Sequence, residues 1–201
     1  MINKAIAKQL KRPTGFLGKI LSKFLKQMNS EIYVQVIKDV NAQDGDRIFE
    51  IGYGHGSGIL QLVKIADCVV EGIDFSEVMY KDAVKLNQKY IDKGMVSLAF
   101  GEFLDYEMKS SYFDKVFCVN VIYFWDDLQV PFLRIKESLN ENGTFFIYMD
   151  SLEDIKNSRF TNDEMFNLYD IDFVLKSLED VGFQSSYYNY GRGHIIMAIR
   201  T

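Results

Sequence analysis

Cysteine is scarce in this chain: Cys68 and Cys118 are the only two among 201 residues. Both lie in apolar, strand-like segments, with no ligand-like spacing between them. That excludes the disulfide-stapled scaffold of a small secreted protein and argues against a zinc site. Each reads as a small buried hydrophobe. Long apolar runs are also missing, so no segment is fit to cross a bilayer. Internal repeats and low-complexity segments are absent, and a cytoplasmic location is the expectation. Acidic residues are lacking in one region. Residues 1–30 hold Lys4, Lys8, Lys11, Arg12, Lys19, Lys23 and Lys26 and no Asp or Glu, which leaves 16 basic residues against 28 acidic ones in the remainder. A body with that surplus repels nucleic acid, while the N-terminal arm attracts anions.

With 48% hydrophobic and 25% charged residues, the chain is a globular protein of one domain, long enough to bury its core without staples. The stretch Asp46 to Gly58 organises the rest. A short apolar run is followed at once by glycine at four alternate positions, Gly52, Gly54, Gly56 and Gly58. Glycine loses the most conformational freedom on folding, so such a loop needs positive φ or a close approach by another group. Ile59, Leu60, Leu62, Val63 and Ala66 then recur at helical spacing. The loop therefore joins a strand to a helix N-terminus, whose unpaired amides and dipole suit a nucleotide or an amino-acid carboxylate.

Before this stretch the sequence predicts a weak helix over Ile2–Leu10, an amphipathic one with the stripe Phe16, Leu17, Ile20, Leu21, Phe24, Leu25 and Met28, and a third over Ile32–Val40. After it, strands and helices alternate. Strands are expected over Val69–Asp74, Met95–Phe100, Phe113–Ile122 and Thr144–Met149. Helices are expected from a Ser76 cap through Tyr90, with Met79, Ala83 and Leu86 buried, and over Leu128–Leu139, ahead of a turn at Glu141-Asn142-Gly143. This order reads as a parallel sheet with helices on both faces. The end departs from it. After a polar stretch, Ser151–Asn167, and a helix over about Ile171–Val181, the strands Phe183–Tyr190 and His194–Arg200 are separated only by Gly191-Arg192-Gly193. That is a hairpin, so the last strand is antiparallel to its neighbour.

A glycine-rich turn alone admits a nicotinamide or flavin oxidoreductase. The fingerprint of that class needs glycine at its first, third and sixth positions. Counted from Gly52 the sixth is Ser57, and counted from Gly54 it is Ile59. What fits is Glu50 two residues before the first glycine, glycines at alternate positions, and the terminal hairpin. From about Gly45 to Thr201 the chain resembles the class I S-adenosylmethionine-dependent methyltransferases. The resemblance implies an α/β, Rossmann-like sheet of seven strands, mostly parallel, in the order 3-2-1-4-5-7-6, with an antiparallel last strand and helices on both faces. It also implies S-adenosylmethionine as cofactor, with no metal. A non-catalytic module binding the same cofactor stays open.

Matched position by position, the family's glycine loop falls on Gly52, Gly54 and Gly56, against which the cofactor's methionine part would lie, and its preceding acid on Glu50. The acid that grips both ribose hydroxyls falls on Asp74, and the residue flanking adenine on Phe75. Chemistry supports Asp74 independently, since a carboxylate has two acceptor oxygens for a vicinal diol; the competing reading is a solvated turn aspartate. Glu102 stands where the family often has an acid near the adenine amino group, with Phe103 beside it as adenine contact or packing. Asn120, near the C-terminal end of a strand, is a further cofactor candidate or a satisfied core asparagine.

Catalytic candidates are weaker: His55 in the glycine loop, and Tyr123 in the cluster Tyr123-Phe124-Trp125, where the family commonly builds its acceptor pocket. His194 reads as a packed or surface histidine. The stretch Asn120-Val121-Ile122-Tyr123 lacks the Asn-Pro-Pro-Tyr signature of enzymes acting on nucleobase amines, few cysteines argue against arsenite, and the acidic body argues against nucleic acid. A small-molecule acceptor is left. Residues 1–43 read as a helical lid within the same domain as 44–201. Alternatives for residues 1–30 are weak surface association through lysines and the apolar stripe, without stable membrane insertion, or a targeting segment. The sequence is silent on oligomeric state.

Overall fold

A computed structural model of the chain describes residues 31–157 and 167–201. The helices expected over Ile2–Leu10 and Phe16–Met28 lie outside them, as does most of the proposed lid. Helix α1 (31–40) buries Ile32, Val36, Ile37 and Val40, the spacing of one helical face. Then come β1 (Arg47–Ile51), α2 (Ser57–Ile65), β2 (Val69–Asp74), α3 (Glu77–Ile91), β3 (Val96–Phe100), β4 (Phe113–Val119), α4 (Gln129–Ser138), β5 (Leu139–Asp150), α5 (Leu152–Asn157), α6 (Ile171–Asp180), β6 (Phe183–Tyr190) and β7 (Gly193–Arg200).

The seven strands form one sheet in the order β3-β2-β1-β4-β5-β7-β6. β1 pairs in parallel with both β2 and β4, while β7 runs antiparallel between β5 and β6. From β1 the chain builds outward to β3 on one side and then crosses to β4 on the other. The crevice where the order reverses, at the C-terminal ends of β1 and β4, is where open sheets of this kind hold ligands. Alternate residues of β5 divide the core in two. Phe145, Ile147 and Met149 pack with α4 and α6 residues such as Phe132 and Leu178, whereas Phe146 and Tyr148 share a layer with Val36 of α1 and Leu62 of α2. Cys68 and Cys118 are buried free thiols.

Several expected boundaries move. The fourth strand ends at Val119 instead of Ile122, because Asn120 takes φ 57° and a 3-10 turn, Ile122–Phe124, follows. Asparagine visits this left-handed region more readily than other non-glycine residues. The fifth strand starts at Leu139, before the expected turn. Asn142, at φ 62°, sits within the strand, where the pairing with β4 slips between Phe113 and Lys115. In α3 the buried face is Met79, Ala83 and Asn87, and Leu86 is 41% exposed. Asn87 is tolerated inside because its amide donates to the carbonyls of Gly56 at 3.1 Å and Ala83 at 3.0 Å. Part of the polar stretch after β5 is helical, as α5.

Candidate cofactor site

Two neighbouring strand ends deliver the acids. Asp74, the last residue of β2, is 7% exposed. Its Oδ2 accepts from the Gly54 amide and its Oδ1 from the Ser76 amide, each at 2.8 Å. The carboxylate thus ties the glycine loop to the start of α3 with one bond per oxygen, and each oxygen keeps a lone pair for a further donor. Burial pushes its pKa up to about 6 against the pull of the two amides, with Glu102 raising it further. Ser76 caps α3, its side chain accepting from Met79 N.

Glu50, on β1, is wholly buried. Its Oε1 accepts from the Tyr33 hydroxyl of α1 at 3.1 Å, and its Oε2 has no hydrogen-bond partner. Desolvation raises the carboxyl to about 8, opposed by the Tyr33 bond and helped by Asp74.

The glycines differ in purpose. Gly52, Gly54 and Gly56 all have positive φ. A Cβ on Gly52 would sit 2.5 Å from Val121 Cγ2, and one on Gly56 2.6 Å from Asn87 Nδ2, so these two let the loop pack on its own fold. At Gly54 a Cβ would meet nothing within 4 Å, which leaves that residue's face open beside Asp74. Gly58 is a glycine for close approach: a Cβ there would meet Tyr33 Cε1 at 2.9 Å and Glu50 Oε2 at 3.1 Å.

The other sequence candidates fall at varying distance from this centre. Phe75, part-buried, meets Phe124 edge-on with ring centroids 5.9 Å apart. Glu102 is exposed at the head of a 3-10 turn, and Phe103 is buried against Trp125, centroids 5.5 Å apart. Asn120 has its side-chain oxygen engaged by Asp150 N at 3.2 Å and the Tyr123 hydroxyl at 3.4 Å. Tyr123 also donates to the Asp150 carbonyl at 3.1 Å, and burial followed by the Asp150 charge holds its pKa well above the ordinary value. A phenol so placed is a poor general base. His55 is part-exposed in the loop. His194 borders Asn189 at 2.8 Å and Tyr187 edge-on.

Three residues escaped the sequence reading. Tyr33 is a polar tip on an otherwise apolar helix face, which is the one signal it carried. Asn167 donates its amide N–H to Tyr123 O at 2.9 Å and its Nδ2 to Trp125 O at 2.9 Å, while the Tyr169 hydroxyl donates to Trp125 O at 2.7 Å. Asn167 and Tyr169 thus hold the aromatic turn after β4, and nothing local in sequence links them to it.

A glycine turn after the first strand, an acid ending the second and a reversed strand order define an α/β nucleoside-binding enzyme fold. A family model described as a methyltransferase domain matches residues 49–147. The uncharacterized methyltransferase YdaC of Bacillus subtilis is 31% identical over 126 residues, 62% of this chain and 67% of that one. In fold, the chain is similar to a Haloferax volcanii protein solved in complex with the Trm112 methyltransferase activator, with TM-score 0.78, 14% identity and 89% and 93% of the two chains covered. It is also similar to Haemonchus contortus phosphoethanolamine N-methyltransferase 2 bound to S-adenosyl-L-methionine, with TM-score 0.70, 24% identity and 79% of this chain but 38% of that one covered. The chain belongs to the class I S-adenosylmethionine-dependent methyltransferases. Among the described residues no helix is long and apolar enough to cross a membrane.

Proposed function

We propose that the crevice at the ends of β1 and β2 holds S-adenosylmethionine and that the acceptor is a small molecule, in a cytoplasmic setting. The observation that carries the site is Asp74, buried and pinned by two backbone amides with acceptor capacity to spare. The residues present suit the group. Asp74 would take the ribose diol, the open face of Gly54 would admit the methionine part, and buried Glu50 Oε2 is an acceptor awaiting a donor. Phe75 and Glu102 would flank adenine, with Gly52 and Gly56 shaping the loop. Phe103 and Asn120 would support these contacts from behind.

The bound cofactor supplies an electrophilic methyl group on a sulfonium. The chain's part is to hold the acceptor atom in line with it and to exclude water. Phe124, part-buried and edge-on to Phe75, is backed by the buried Tyr123 and Trp125 near Asn120, and an aromatic face there would suit an apolar or cationic small molecule. A small acceptor also accords with the phosphoethanolamine enzyme whose fold the chain shares. Neither His55 nor Tyr123 is assigned a proton-transfer step, and positioning alone suffices where the acceptor carries a free lone pair. Residues 1–43 are proposed as a cover over this region.

The test is thermal melting with S-adenosylhomocysteine and with NAD. Saturation to about 100 times Kd stabilises by about 2.7 kcal/mol, so a clear shift is expected with the first alone. A shift with NAD only would return the chain to the oxidoreductase reading. Turnover on a panel of small acceptors separates an enzyme from a binding module.

A further inference from the structure

Glu50 is an odd residue to find one position from the end of a buried strand. Its cross-strand neighbours are Gly72 and Phe117, and the titratable groups that interact with it among the described residues are Tyr33 from α1, Tyr53 from the glycine loop, Asp74 from β2 and Cys118 from β4. None is a cation. A buried carboxyl with one oxygen unpartnered is rare in a native fold and calls for an explanation. Sheet packing offers none, because an apolar side chain would serve the strand better.

Tyr33 supplies the missing half of the explanation. Its hydroxyl donates to Oε1, and its ring occupies the space where a side chain at Gly58 would go, against the first turn of α2. The carboxyl is therefore held at one oxygen by a helix that precedes the sheet in the chain, while the other oxygen stays unpartnered. We propose that Tyr33 is a positioning residue for the cofactor: by holding Oε1 it orients Glu50 so that Oε2, ionised on binding, receives the α-ammonium of the cofactor's methionine part. The proposal rests on the cofactor reading above.

The proton balance follows. In the free protein Glu50 retains a proton at neutral pH, since burial raises it to about 8. When a ligand ammonium arrives, Glu50 ionises, the N–H of the ammonium donates to Oε2, and the displaced proton passes to buffer. Tyr33 lowers the cost of that ionisation, because a hydroxyl bond favours the charged carboxylate.

The experiment is calorimetry of S-adenosylhomocysteine binding at pH 7 in two buffers of different ionisation enthalpy, followed by affinities from pH 6 to 9.5. The parent should release most of one proton, and the desamino analogue of the ligand should release none. Tyr33→Phe should weaken binding about tenfold below pH 8, the effect of one charge-assisted bond on one pKa. That deficit should shrink above pH 9, and the ligand's own titration cancels in the ratio of parent to variant. In a Glu50→Gln background Tyr33→Phe should cost nothing. A deficit that is absent, that is the same at every pH, or that persists undiminished with Glu50→Gln overturns the proposal. Should Tyr33→Phe fail to fold, the parent decides: no proton release, or equal release with the desamino analogue, is equally fatal. Failure of the parent to bind S-adenosylhomocysteine at all rejects the cofactor reading, and is distinguishable from every result above.

Discussion

Two acids one strand apart do different work because their surroundings differ. Asp74 has an amide on each oxygen and ionises near pH 6, whereas Glu50 has a single hydroxyl and holds its proton to about pH 8. Asp74→Ala should weaken S-adenosylhomocysteine binding by about one to two orders of magnitude, since the two charge-assisted contacts proposed to the ribose diol would be lost. Equilibrium titration checks it, and parent-like binding would remove Asp74 from the ribose. Glu50 leaves its mark on stability instead. Its folded pKa lies above the ordinary 4.5, so the native state binds the extra proton. That contribution is complete below about pH 4.5, fades as pH rises and is gone above about 8. Ligand-free Glu50→Gln should therefore melt higher than the parent at pH 8.5 and about level with it at pH 4.5. An equal difference at both values would contradict the assignment.

At the scale of elements, α3 shows what periodicity can and cannot reveal. The sequence placed Met79 and Ala83 on the buried face correctly, then chose Leu86 for its apolarity over Asn87, which lies one full turn beyond Ala83. Asn87 is inside because a carbonyl of the glycine loop, 31 residues earlier, accepts from it; no local pattern records such a partner. Asn120 and Asn142 misled for a related reason, as each bends the chain through positive φ at a place chosen by neighbouring strands. By contrast, Asp74, Ser76 and the glycine loop were legible, because strand end, cap and turn are written in adjacent residues. Tyr33 was not, as its partner Glu50 belongs to another element. Ala83→Leu should destabilise by about 1–3 kcal/mol through overpacking against Gly56 and the loop, whereas Leu86→Lys should stay within about 0.5 kcal/mol of the parent. Urea unfolding of the pair distinguishes this face from the one the sequence suggested.

Across the whole molecule, the parallel sheet and the antiparallel hairpin followed from the alternation of strands and helices and from the three-residue gap between the last two strands, whereas the strand order β3-β2-β1-β4-β5-β7-β6 was expected only through the resemblance to the methyltransferases. The N-terminal segment calls for its own experiment. Helix α1 is built into the core through Val36 and Val40 and into the site through Tyr33, so a deletion should stop short of it. Removal of residues 1–29 should leave a folded chain that binds S-adenosylhomocysteine but loses most turnover and acceptor selectivity, if that segment covers the site. Full activity after deletion, with loss of binding to anionic vesicles, would favour the surface anchor.

The placement of β7 also governs how the chain is made. It is synthesised after β6 yet lies inside it, bridging β5 and β6 along their length. Until residues through Arg200 have left the ribosome, β5 presents a naked hydrogen-bonding edge of largely apolar sequence and β6 has no sheet to join. Such an edge is a template for pairing with other chains. Translational pausing or premature termination just before Gly193 would therefore yield a nascent protein with the strands from β1 to β5 already in place, but with a sticky flank that chaperones must guard.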